Sequence, residues 1–423
     1  MNRRNIWLIA LSLLLTVAIL FNLSGCGTAS AAEATDLMKG VEAQDVDGKP
    51  FDDAFGQSQM ELALKLFKSS ATTTKNKNTL ISPLSVQLAL AMTANGANGE
   101  TLKEMEALLG NGMPIDELNR YLKSYVDGLP STQKAKLQVA NSIWFRDDEN
   151  RLKVEKNFLQ TNANYYGADA FKAPFDGSTL KEINSWVKDN TDGMIDKILD
   201  EIDDAAVMYL INAITFDAEW QTVYSKNSVN DGDFTNINGK KKTVTMMHSE
   251  EGQYISDGKA TGFLKAYKGG KYSFAALLPN EGVDLYDYIE SLDAKTLKST
   301  LSNSKFVEVV ATMPKFSYDY ELRMNNILGE HGMVKAFDSK NADFKKLGRS
   351  SNGNIYVGDV LHKTFISVDE LGTKAGAVTK VEMRDECAIF DRKVVTLDRP
   401  FVYMIIDNET NLPIFMGTVT DID

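Results

Sequence analysis

Glu370-Leu-Gly-Thr-Lys-Ala-Gly-Ala-Val-Thr-Lys-Val-Glu-Met-Arg-Asp-Glu-Cys-Ala388 alternates like a buried strand yet has the composition of an exposed loop. Every second residue from Thr373, namely Ala375, Ala377, Thr379, Val381 and Met383, is small or apolar, while the interleaved Lys374, Gly376, Val378, Lys380, Glu382 and Arg384 are mostly polar. A period of two with one apolar face suits a strand. Lys, Gly and Ala crowd the positions after Thr373, however, and the stretch closes on the charged run Arg384-Asp-Glu386, which suits a loop. An ordinary edge strand with one wet face and a segment that switches between loop and strand both remain open on these residues alone.

The surrounding motifs favour the switch. Asn78-Thr-Leu-Ile-Ser-Pro-Leu-Ser-Val-Gln-Leu-Ala-Leu-Ala-Met-Thr-Ala-Asn-Gly-Ala-Asn-Gly-Glu-Thr101 comes first, then Ile183-Asn-Ser-Trp-Val187 with Thr191 and Ile195. Leu210-Ile-Asn-Ala-Ile-Thr-Phe216 with Trp220, Val244-Thr-Met-Met247, Met313-Pro-Lys-Phe316 and Asp398-Arg-Pro-Phe401 follow. In content and order these resemble the serpin family of protease inhibitors, over roughly residues 53 to 421. Glu370, Gly372, Thr373, Ala375, Gly376, Ala377 and Thr379 stand as in the hinge of a serpin reactive-centre loop. Lys374 departs from the pattern, since the family usually has an acid there.

The resemblance implies an α+β fold with three β-sheets, about nine α-helices and an exposed reactive-centre loop at about residues 370–398. It implies that Ser82, Ser85, Asn212 and His362 form the shutter, a hydrogen-bonded cluster beneath the large sheet, and that Glu370 and Lys315 pair at the breach beside Trp220, where insertion begins. It further implies a serine-protease inhibitor that acts as a suicide substrate: the protease cuts the loop, is held as an acyl-enzyme, and is distorted when the hinge inserts into the sheet. Family spacing from Glu370 puts the reactive bond between Glu386 and Cys387, so that Glu386 points to acid-preferring proteases. A shift of one or two residues would bring in subtilisin-like enzymes, or trypsin-like ones through Arg384; a cysteine protease is a further partner class. The alternative is a non-inhibitory serpin that serves as a binding or scaffold protein at the cell surface.

The N-terminus reads as a targeting signal. Arg3 and Arg4 precede a run from Ile6 to Phe21 broken only by Ser12 and Thr16, shorter than a spanning helix needs. Leu23-Ser-Gly-Cys26 resembles the bacterial lipobox, in which cleavage precedes a Cys that then carries lipid. Residues 1–25 are thus expected to be a lipoprotein signal peptide, 26–52 a flexible tether of small and polar residues, and 53–423 the folded domain. The body is expected on the extracellular face of the bacterial cell membrane, held through lipid on Cys26, or secreted.

The composition of the whole chain, 43% hydrophobic and 25% charged, is globular, with no internal repeat or long linker to divide residues 53 to 421. Net charge is −12, and −14 once residues 1–25 are lost, which argues against nucleic acid as a partner. Cys26 and Cys387 are the only cysteines, so lipidation of the first leaves no disulfide. His248, His331 and His362 are the only histidines. No metal motif, Walker loop or Gly-x-Ser-x-Gly occurs, so neither an enzyme nor a metal or cofactor site is expected, and a monomer is. Cys387 with His362 could be drawn as nucleophile and base, but a charged loop is a poor platform for preorganised chemistry.

Several segments announce their secondary structure. Ser82 can cap a helix that has Pro83 at its first position and runs through apolar Val86 to Met92. Met60 to Lys68, Gly282 to Leu301 and Tyr320 to His331 read as helical. Ala140 to Phe145, Val207 to Phe216, Phe274 to Pro279, Val307 to Pro314 and Thr364 to Asp369 read as strands.

Overall fold

A computed structural model describes residues 34–129, 131–147, 152–203, 206–351, 353–373 and 392–422. Its framework is a seven-stranded sheet built from Thr35–Asp36 (β1), Ala135–Arg146 (β2), Asp169–Ala173 (β3), Met208–Glu219 (β4), Phe316–Arg323 (β5), Asp359–Val368 (β6) and Gly372–Thr373 (β7). Spatial order is β1-β3-β2-β4-β7-β6-β5. β4 is buried at every position except Asp217 and Glu219, as expected of a central strand covered on both faces.

A nine-stranded sheet packs beneath, running from the edge strand Lys393–Thr396 through Lys305–Pro314, Lys241–Ser256, Ala260–Ala266, Tyr272–Pro279, Phe401–Asp407 and Pro413–Val419 to Thr79–Ile81, with Val229–Thr235 on the side of Lys241–Ser256. A two-stranded sheet joins Leu152–Val154 to Gly348–Ser350. Nine α-helices complete the described residues: Asp53–Thr73 (α1), Pro83–Ala94 (α2), Gly99–Gly110 (α3), Ile115–Gly128 (α4), Lys156–Tyr166 (α5), Gly177–Asn190 (α6), Leu285–Ser291 (α7), Ala294–Ser302 (α8) and Asn325–Glu330 (α9).

α2 is buried along its whole length, capped by Ser82, whose Oγ accepts from the Ser85 N–H at 3.3 Å. It lies in the main core between the sheets. α6 covers the opposite face of the large sheet, where Ile183 and Val187 share a second apolar cluster with Trp144, Tyr209, Ile211, Ala213 and Leu361.

Three readings need correction. The tether assigned to residues 26–52 is part of the folded body from Ala34 onward. β1 pairs with β3, Leu37, Met38 and Val41 pack on the main core, and Gln44 N–H donates to Asn164 Oδ1 at 2.8 Å. Its few apolar residues are spaced too irregularly for a periodic signal. Tyr320 to Arg323 is strand, not helix: burial over Phe316–Arg323 peaks at Phe316 and Tyr320, on the face turned to the core. Finally, Gly282 to Leu301 is two helices, because Asp293 accepts from Thr296 N–H and caps a fresh start after Leu292.

Candidate functional site

The chain leaves β6 at Val368, reverses through Asp369-Glu370-Leu371 and comes back as β7 between β6 and β4. Asp369 Oδ1 shapes the turn by accepting from Leu371 N–H at 2.8 Å and Gly372 N–H at 3.2 Å. At Gly372 a Cβ would stand 2.0 Å from the Ala218 carbonyl oxygen, so only glycine fits. Three successive hinge carbonyls are held from one side: Trp220 Nε1 donates to Asp369 O at 2.8 Å, Tyr224 N–H to Glu370 O at 3.0 Å, and Trp220 N–H to Leu371 O at 2.9 Å. Glu370 pairs with Lys315. Burial pushes the Glu370 carboxyl up, but the Lys315 ammonium outweighs it and the group sits below its ordinary value.

Thr373 is buried, and its Oγ1 lies 2.5 Å from the Tyr267 hydroxyl, beneath which Trp220 stacks at 4.5 Å between ring centres. Below Thr373 the described strands part. Among the described residues, β4 and β6 pair directly only where Tyr209–Ala213 meets Asp359–Lys363, and Ile214–Asp217 has no ladder partner on the β6 side. β2 and β5 meanwhile pair with β4 and β6 along nearly their whole lengths. Among the described residues a slot therefore opens between two well-supported strands, with Gly372 and Thr373 seated in its mouth.

At the foot of the slot, ladder register places Asn141, Asn212 and His362 side by side on β2, β4 and β6. Asn212 Nδ2 donates to Asn141 Oδ1 at 2.5 Å, and the Ser82 N–H at the start of α2 donates to His362 Nε2 at 3.1 Å. That bond leaves the ring proton on Nδ1. His362 Nδ1, Asn212 Oδ1 and Ser85 Oγ are all buried with no hydrogen-bond partner among the described residues. Burial pushes the His362 imidazole down to about 4, so it is neutral at pH 7.

The structure thus brings together Ser82, Ser85, Asn212 and His362 at one place, and Trp220, Lys315, Glu370, Gly372 and Thr373 at another. Ala375, Gly376, Ala377, Thr379, the reactive-bond pair Glu386 and Cys387, and Cys26 lie outside the described residues. The sequence reading missed Asn141, Tyr224 and Tyr267. Asn141 interrupts the apolar run Ala140 to Phe145 just as His362 interrupts its own, a signal that was there to be used. Tyr267 precedes the polar turn Lys268-Gly-Gly270 and carries no such mark. Among the described residues, no three His, Cys, Asp or Glu side chains gather as metal ligands.

A family profile described as Serpin (serine protease inhibitor) matches residues 57–422. The chain belongs to the serpin family. It is similar to leukocyte elastase inhibitor A of Mus musculus, 29% identical over 371 residues that make up 84% of this chain and 96% of that one. Ipis-1 of Ixodes persulcatus is 30% identical over 357 residues, 82% of this chain and 92% of the other. Among solved structures, the thermophilic serpin tengpin in its native state superimposes with a TM-score of 0.89 at 49% identity, over 92% of this chain and all of that one. Tengpin in its latent state gives 0.79 at 50% identity, over 89% of this chain and all of the other. The backbone of this serpin is thus nearer the native arrangement of that relative than the latent one. Family membership makes the chain a protease inhibitor in general terms rather than an enzyme.

Proposed function

We propose that this serpin inhibits a serine protease as a suicide substrate, by loop cleavage, acyl-enzyme trapping and insertion of the hinge segment as a new strand. The observation that carries this reading is that Gly372 and Thr373 of β7 sit in register between β4 and β6, above a stretch where, among the described residues, those two strands are not paired with each other. Once the loop is cut, Lys374 onward is free to continue the ladder that Gly372 and Thr373 begin. At roughly 1 kcal/mol net per hydrogen bond, a strand bonded on both edges supplies on the order of 10 kcal/mol, less the few bonds lost where Tyr209–Ala213 parts from Asp359–Lys363. Continuing the Thr373 face inward puts Ala375, Ala377 and Thr379 into the sheet core, all small enough to pass between closing strands.

The foot of the slot is suited to opening. Among the described residues Asn212, His362 and Ser85 each keep a buried polar atom without a hydrogen-bond partner, so they have bonds to gain when β4 and β6 separate.

The reactive bond is assigned to Glu386–Cys387, which makes an acid-preferring serine protease the first choice of target and subtilisin-like enzymes the next. Lipid on Cys26 is proposed to hold the protein on the extracellular face of the bacterial membrane. Incubation with a protease panel followed by denaturing gels tests the mechanism. A covalent adduct of serpin and protease is the expected result, and clean cleavage without adduct by every protease that cuts the loop would point to the scaffold role instead.

A further inference from the structure

Lys265 is a buried lysine, 2% exposed, on the Ala260–Ala266 strand below the hinge. Its Nζ stands 2.7 Å from Glu251 Oε1 on the neighbouring strand, and Ser249 Oγ donates to the same oxygen at 2.7 Å. Withdrawing two ions from water is costly, and an apolar pair of like volume commonly folds as well or better, so stability alone is a poor reason for this pair. The placement of the cation supplies another. It lies 4.3 Å from the centre of the Tyr224 ring and 5.4 Å from that of Trp220, in reach of both π-faces. Trp220 and Tyr224 are the two residues whose N–H groups hold the carbonyls of Asp369, Glu370 and Leu371.

We propose that Lys265 is a positioning residue that pins the pivot of the hinge: its ammonium, anchored by Glu251, fixes the Trp220 and Tyr224 rings, and their segment fixes residues 369–371. With the pivot fixed, the cut loop enters the slot in the register that Gly372 opposite Glu219 has already set. A loose pivot permits a one-residue slip, which would turn Ala375 and Ala377 outward and bring the interleaved set that includes Lys374, Lys380 and Glu382 inward. Insertion then slows, and the acyl-enzyme has time to hydrolyse. The consequence for trapping rests on the inhibitory reading; the pin itself does not.

The test compares the parent with Lys265→Met/Glu251→Met, which removes both charges and leaves no orphan ion, and with Lys265→Arg, which keeps a cation over the rings. Two quantities are read: amide hydrogen exchange in peptides covering residues 218–226 and 369–373, and the moles of serpin consumed per mole of protease trapped. In the double variant, exchange should quicken roughly tenfold and consumption rise about twofold or more, with the rate of loop cleavage unchanged, while Lys265→Arg stays near the parent. Unchanged exchange in a folded double variant would overturn the pin. Faster exchange with unchanged consumption would overturn its role in insertion. A parent that never forms an adduct would overturn the inhibitory reading, and the exchange measurement would still decide the pin.

Discussion

His362 carries a pH dependence whose sign follows from its burial. Its imidazole is held down to about 4 in the folded protein, against about 6.5 for an exposed histidine in the unfolded chain. Between these values the unfolded chain binds the proton and the native state does not, so native stability is complete above pH 6.5 and declines as pH falls towards 4. The loss approaches roughly 3 kcal/mol, because each tenfold difference in proton affinity between the two states is worth about 1.4 kcal/mol. Urea unfolding at pH 7 and pH 4.5 should show that loss in the parent and much less of it in His362→Gln; equal losses in both would remove His362 as the source. Glu386, the proposed specificity residue, carries a different residue-scale prediction. A carboxylate entering a basic protease pocket is favourable and one stranded in an apolar pocket is costly. Mass spectrometry of the small C-terminal fragment released from the protease complex should find Cys387 at its start. A fragment starting at Asp385 would transfer specificity to Arg384 and to trypsin-like enzymes.

At the scale of elements, the slot between β4 and β6 admits only what can pass between two strands that close behind it. Ala377→Glu should leave the fold intact and turn inhibitor into substrate, because a carboxylate would have to enter the sheet core; undiminished adduct formation on denaturing gels would sink the insertion mechanism. Much of this element was legible in the chain. Leu210 to Phe216 and Thr364 to Val368 are apolar enough to announce central strands, and the alternation from Thr373 is what the proposed inserted strand requires. Register was not legible. That Asn141, Asn212 and His362 stand abreast, and that Tyr267 meets Thr373, depends on how strands far apart in sequence align, which no local pattern encodes. Local signals also misled where two were superimposed. Tyr318, Tyr320 and Leu322 alternate as a strand should, yet they run into the Asn325–Glu330 helix with no proline or glycine to mark the boundary. The Lys265–Glu251 pair escaped for a like reason, since each residue alone reads as a surface charge.

For the molecule as a whole, anchorage and stability are separable. With Cys26 lipidated and residues 1–25 removed, as proposed, Cys26→Ser should move the protein from the membrane to the soluble fraction, because the remaining body would carry a net charge of −14 that anionic lipid repels; retention on membranes would mean that Ile6 to Phe21 stays as an anchor. Stability bears on the proposed mechanism, which requires a native sheet that is one strand short. Among the described residues, β4 and β6 are joined to each other by the short ladder of Tyr209–Ala213 with Asp359–Lys363 and above it through Gly372 and Thr373 of β7, while three buried polar atoms at the foot of the slot have no hydrogen-bond partner. A strand laid down the length of the slot would bond to both neighbours and close the gap. A gain on the order of 10 kcal/mol corresponds to a rise in melting temperature of well over about 10 °C for a domain of this size, far beyond the few degrees of a single surface substitution. Nicking the loop with a protease that is not trapped, then comparing cut and intact protein by calorimetry, measures this directly. The cut form should melt at the higher temperature even though it has one peptide bond fewer. An equal or lower melting temperature would mean that the parted strands already rest at their free-energy minimum, and that no stored energy is available to drag and distort a bound protease.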